Sequence, residues 1–173
     1  MIRFGLGTFL EVTSETAEKK IKLYERQLKG KGYPYYRELY DAVNLVVLNG
    51  ASEKDARAII EKIKNFHQKK YLCEAFDAFG KLYFNKGFKF HKVPSSELIS
   101  SAGFLKIDVR PIALLDGDQG REIVYPWAKV KPKLQQKDAG IGIDILTRCF
   151  AKDSIKMFAI ADLRQGLGPR PIK

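Results

Sequence analysis

The chain has 173 residues, enough for one domain that buries roughly 70% of the surface its unfolded chain exposes, so a core forms without disulfide or metal staples. A hydrophobic share of 45%, with eleven Phe, eight Tyr and one Trp, excludes a disordered chain. Lys plus Arg is 31 and Asp plus Glu is 20, and the net charge of +11 suits polyanions: nucleic acid, an anionic membrane surface or an acidic protein.

The N-terminal stretch Ile2 to Val12 reads as a strand weakened by Gly5 and Gly7; it is apolar but short, carries Glu11 at its end and has no cleavage site. Ser14 then caps a helix whose inner face is Ala17, Ile21, Tyr24 and Leu28 and whose outer face carries Lys19, Lys20, Lys22, Arg26 and Lys29. A second helix opens at Pro34, carries Tyr36, Leu39, Tyr40, Val43, Val46 and Val47, is deeply buried over Val43 to Leu48, and stops at Asn49-Gly50. Ser52 to Asp55 resembles a capping box with Asp in place of Glu. The third helix has an apolar stripe of Ala56, Ile59, Ile60, Ile63 and Phe66 and continues through Gln68-Lys69-Lys70 into a fourth, with Leu72, Ala75, Phe76, Phe79 and Tyr83 inward.

From Phe88 the period shifts to that of strands, and Phe88 to Val93 reads as a short one. Pro94 to Ile99 reads as a turn that starts a short helix. Asp138 caps a helix over Ala139 to Phe150, in which Gly140 and Gly142 allow close backbone approach. Ile155 to Leu163 is the continuously apolar run of a strand covered on both faces. The expected architecture is one α+β domain over 1–173: a layer of about four helices (14–86) packed on a small, mostly antiparallel sheet with a central β-hairpin and a C-terminal helix (88–164), then an edge-like tail (165–173).

That hairpin spans Phe104 to Leu134. Pairing Asp116 with Arg121 leaves the loop Gly117 to Gly120, and extending this register sets Val109 opposite Ala128 and Ile107 opposite Val130 on the buried face. The other face then brings Arg110 to Trp127, Asp108 to Lys129 and Lys106 to Lys131. Pro111 and Pro126 lack a ladder N–H, and the apolar run Ile112 to Leu115 implies that the first arm changes surroundings after Pro111.

The polar face so defined collects Lys106, Arg110, Tyr125, Trp127, Lys129, Lys131 and Lys133, a set that suits nucleic acid because cations neutralise phosphates and ring faces accept stacked bases. The competing reading packs the same face beneath helices, with Trp127 as ordinary core. Asp108 and Lys129, on paired strands flanked by helices, resemble the acid and lysine of the PD-(D/E)xK nuclease core. That family has a second carboxylate two residues before the lysine, where this chain has Trp127, so the resemblance implies a degenerate nuclease-like domain; a cross-strand ion pair explains the same two residues. Lys137 to Asp144 resembles the stretch before the middle helix of PIN-like ribonucleases, whose acidic first strand and Ser-Gly-Asp turn are absent. His67 and His91 form no recognisable nucleophile or metal-ligand arrangement, and Asp162 beside Arg164 reads as an ion pair.

Cys73 and Cys149 are too few and too far apart for a disulfide framework or zinc knuckle, and no apolar run reaches the ~20 residues of a membrane span. The function expected is therefore non-catalytic nucleic-acid binding in the cytoplasm, with no cofactor, metal or membrane partner. The alternatives are a metal-dependent nuclease of degenerate PD-(D/E)xK-like type and an adaptor subunit binding an acidic protein. A protein partner or a homo-oligomer remains open, as does the choice of DNA or RNA.

Overall fold

A computed structural model describes residues 1–28, 36–129, 133–151, 155–164 and 170–172. The chain is α+β, with two sheets of mixed strand direction. The first elements are β1 (Ile2–Gly5), α1 (Leu6–Ser14) and α2 (Ala17–Leu28). The expected long N-terminal strand is thus cut short at Gly5. Leu6 and Leu10 are fully buried and Phe9 packs in the same cluster; a helix sets positions i, i+3 and i+4 on one face, whereas a strand would turn Phe9 to the face opposite the two leucines. α2 rests on β1 and α1, with Tyr24 packed edge-on to Phe4 at 5.4 Å, while Ile21, read as inward, is 58% exposed.

Three helices follow: α3 (Arg37–Asn49), α4 (Glu53–Glu61) and α5 (Phe66–Tyr83). Gly50 closes α3 in the left-handed conformation, φ 67°, as the Asn-Gly signal predicts. Ser52 caps α4, its hydroxyl oxygen accepting the Asp55 N–H at 3.1 Å. α4 and α5 are separate helices: Asn65 starts α5 afresh, its side-chain oxygen accepting the Gln68 N–H at 3.0 Å. The C-terminal end of α3 is half-buried rather than deeply buried.

The strands are β2 (Lys89–His91), β3 (Ser96–Ile99), β4 (Leu105–Val109), β5 (Ala113–Gly117), β6 (Gly120–Trp127), β7 (Ile155–Asp162) and β8 (Arg170–Ile172), with α6 (Gln136–Phe150) between β6 and β7. Residues 96–99, expected to start a helix, are a strand. The larger sheet has the order β2-β5-β6-β7-β8, and the smaller one β1-β4-β3. β5 and β6 form the expected hairpin, with Asp116 opposite Arg121, and Gly117 opposite Gly120 closes the turn. Its first arm is not the one expected. Pairing with β6 begins at Ile112, whose N–H donates to the Val124 carbonyl at 2.9 Å. Upstream, Pro111 has no N–H to give the ladder, and β4 departs to the smaller sheet. There β4 runs parallel to β1 and antiparallel to β3, so Val109 faces Ser96, and Asp108 lies between Gly5 and Glu97. The extended register linking 106–110 to 127–131 is therefore corrected.

β6 pairs parallel with β7 through the α6 crossover, so the sheet is less antiparallel than expected. Successive β6 residues face opposite layers. Val124 joins Leu39, Leu72, Phe76 and Phe79 of the α3–α5 layer, whereas Ile123, Tyr125 and Trp127 join Leu6, Leu10, Ile145 and Leu146 of α1 and α6 together with β4. Three helices cover one face and α1, α6 and the small sheet cover the other, in place of a single four-helix layer. Cys73 and Cys149 are free thiols.

Candidate nucleic-acid interface

The residues that the sequence gathers on one hairpin face lie apart. Lys106 pairs with Glu97 on the small sheet, and Arg110 is exposed beyond the end of β4. Tyr125 and Trp127 are 9% and 2% exposed, so their rings lie in the core between β6, α1 and α6. Alternation misleads here because β6 is the central strand and is covered on both faces. The Gly7 N–H donates to the Tyr125 hydroxyl at 2.8 Å, and burial pushes this phenol up to about 12, with the amide donor pulling the other way. Lys129 pairs with Glu11, and its ammonium lies 5.9 Å from the centre of the Trp127 ring. Lys133 is exposed, and Lys131 lies outside the described residues. Asp108 pairs with Arg3 rather than Lys129, so the acid–lysine pair that carried the nuclease resemblance is not formed.

Arg3, Asp108 and Arg110 line a polar recess of about 340 Å³ with Ser95, Ser96 and Glu97. Asp108 accepts the Arg3 guanidinium and holds its pKa above the ordinary value. Two guanidiniums and two hydroxyls can seat a compact oxyanion, but Asp108 and Glu97 already neutralise part of that charge.

A second set of charges stands at the carboxyl ends of β6 and β7, where α/β sheets commonly bind ligands. Asp162 and Arg164 form a buried bidentate pair, with Arg164 Nε 2.6 and 2.7 Å from the two carboxylate oxygens. The buried Asp138 carboxylate, in the first turn of α6, accepts the Thr13 hydroxyl at 3.4 Å instead of capping the helix. Asp162 with Arg164 and Glu11 with Lys129 are satisfied within the fold as ion pairs, and the second of these ties α1 to the end of β6. Sequence alone found Asp162 and Arg164 because they are neighbours; the Glu11–Lys129 pair spans 118 positions and has no local signal.

One aromatic that stands among cations in solvent is a residue the sequence placed in the core. Phe66 is 70% exposed. It opens α5, where the Asn65 cap turns the chain away from the α4 stripe. Lys62, Lys64, His67 and Lys70 around it are exposed, and His67 meets the Phe66 ring edge-on at 5.8 Å. No ion pair ties these lysines among the described residues, and Glu61 is the nearest acid in sequence. Lys64-Asn65 was the available signal: Asn before a helical run is a cap, so Phe66 belongs to a new helix start, not to the preceding stripe. Such a corner can neutralise phosphates and offer one ring face to a base.

Among the described residues no group of His, Cys, Asp and Glu side chains is placed to hold a metal ion. His91 is 3.8 Å from Asp116 on the exposed edge of the large sheet and has no nucleophile beside it among the bonds described. No described helix is long and apolar enough to cross a membrane. Comparison with protein-family models, with curated proteins and with solved structures gave no match.

Proposed function

We propose that this protein binds nucleic acid without cleaving it, through the basic corner between α4 and α5. The observation that carries the reading is Phe66, an exposed ring flanked by exposed Lys62, Lys64 and Lys70 in a chain of net charge +11. Lysines supply phosphate contacts that are blind to sequence, and the ring adds a stack that any base satisfies. Arg110 and Lys133 remain available as outlying phosphate contacts. The reading places the protein in the cytoplasm, where nucleic acid is accessible.

The test is binding of labelled mixed-sequence DNA and RNA at several salt concentrations, with and without magnesium or manganese. The logarithm of affinity should fall linearly with the logarithm of salt, by roughly 0.9 per phosphate neutralised on duplex DNA. No cleavage should follow metal addition. A salt-independent affinity, or none below about 50 mM salt, contradicts the reading. Cutting abolished by Asp108→Asn replaces it with a nuclease.

A further inference from the structure

β2 is an edge strand: it pairs with β5 on one side and with nothing on the other among the described residues. Such an edge presents unpaired N–H and C=O groups, a template for another strand. Beside it lies a groove of about 430 Å³ with a mixed lining, in which Val46 and Val47 at the end of α3 and the rings of Phe84, Phe88 and Phe90 stand beside polar groups of the α4 start and the turn after α5. The two features share a geometry. Phe90 sits opposite Leu115 and so points to the α3–α5 face, towards the groove, while Lys89 and His91 point to the other face. The rim is cationic: Lys86, Lys89 and Lys92 are all exposed, without ion pairs among the described residues, against Glu53 in the groove wall and Asp116 across the ladder.

We propose that the free edge of β2 captures an extended acidic segment of another protein by strand addition. Its alternate apolar side chains enter the groove beside Phe90, and the carboxylates between them face Lys89 and the flanking lysines. The charge pattern selects this occupant. Cross-strand opposite charges attract and like charges repel, so a second copy of β2 laid on the first sets lysine against lysine or histidine and is disfavoured. A nucleic acid has no strand backbone to complete the ladder and no alternate side chains for the groove.

The test uses the full chain and a capped Glu-Val-Glu-Val-Glu-Val peptide, followed by amide chemical shifts. Binding should saturate below about 1 mM and move the resonances of residues 46–53 and 84–92. The block peptide of the same composition, Glu-Glu-Glu-Val-Val-Val, should bind at least about tenfold more weakly, because it loses the alternation that strand addition reads. Lys89→Glu with Lys92→Glu should weaken the alternating peptide by about tenfold or more, and since both side chains are exposed the fold and its melt should not change. Any of three results overturns the proposal: no saturable shift, equal binding of the block peptide, or displacement of the peptide by a single-stranded oligonucleotide at about 0.15 M salt, which assigns the rim to nucleic acid instead.

Discussion

Trp127 and Tyr125 show how one residue's environment decides its role. At 2% exposure the indole is packed on all sides by α1, α6 and β7, so Trp127→Ala should cost ~3–5 kcal/mol in a chemical melt. The parent's emission, which comes from this one Trp, should already be blue-shifted. Tyr125 makes a matching prediction in alkali. Its phenol is raised from the usual 10.0 to about 12 in the folded state, so the stability it contributes is complete below pH 10 and is lost as pH rises through 12. The raise corresponds to roughly 3 kcal/mol, and Tyr40 and Tyr83, both raised by burial, act in the same sense. Urea melts across this window should show a steep alkaline loss; stability constant to about pH 12 would contradict the buried placement.

At the scale of elements, α6 tests its own packing through two glycines. A Cβ at Gly140 would meet nothing within 4 Å, whereas one at Gly142 would strike Ile160 Cδ1 and come within 3.0 Å of Leu10 Cδ1. Both struck residues are fully buried and have little room to give. Gly140→Ala should therefore gain ~0.5–1 kcal/mol from helix propensity, and Gly142→Ala should lose ~1–3 kcal/mol to overpacking. Thermal melts of the pair should move in opposite directions. The close approach at Gly142 was legible in the sequence, as were the Asn49-Gly50 stop, the Ser52 cap, the Asp116–Arg121 register and the buried β7. The course of the chain on the far side of Pro111 was not. Leu105 to Val109 has the alternation of a hairpin arm, but alternation does not say which strand will be the partner. β1, a hundred residues upstream in the ladder, and β3 supply the partners, and only the fold brings them there. The N-terminal helix was hidden in the same way: Gly7 weakens a helix locally, and tertiary burial of Leu6 and Leu10 overrides it.

For the whole molecule, the +11 balance suits the polyanion partner proposed above, but composition does not say where the charge gathers. Lys106 and Lys129 are spent on Glu97 and Glu11, whereas the lysines around Phe66 are free of ion pairs among the described residues. The aromatic stripe and the exposed ring look alike in sequence, since both are apolar residues at helical spacing; the Asn65 cap separates them. Phe66→Ala is therefore a clean probe, because a ring 70% exposed contributes little to the core and its removal should shift stability by no more than ~0.5 kcal/mol. The decisive measurement is the affinity of a labelled single-stranded oligonucleotide for the parent and for Phe66→Ala, with Trp127 emission recorded in the same titration. The account predicts that the variant loses ~1–3 kcal/mol of binding, that a duplex loses less, and that Trp127 emission stays constant as the complex forms. Equal affinities for parent and variant, or quenching of Trp127 by the bound strand, would contradict it.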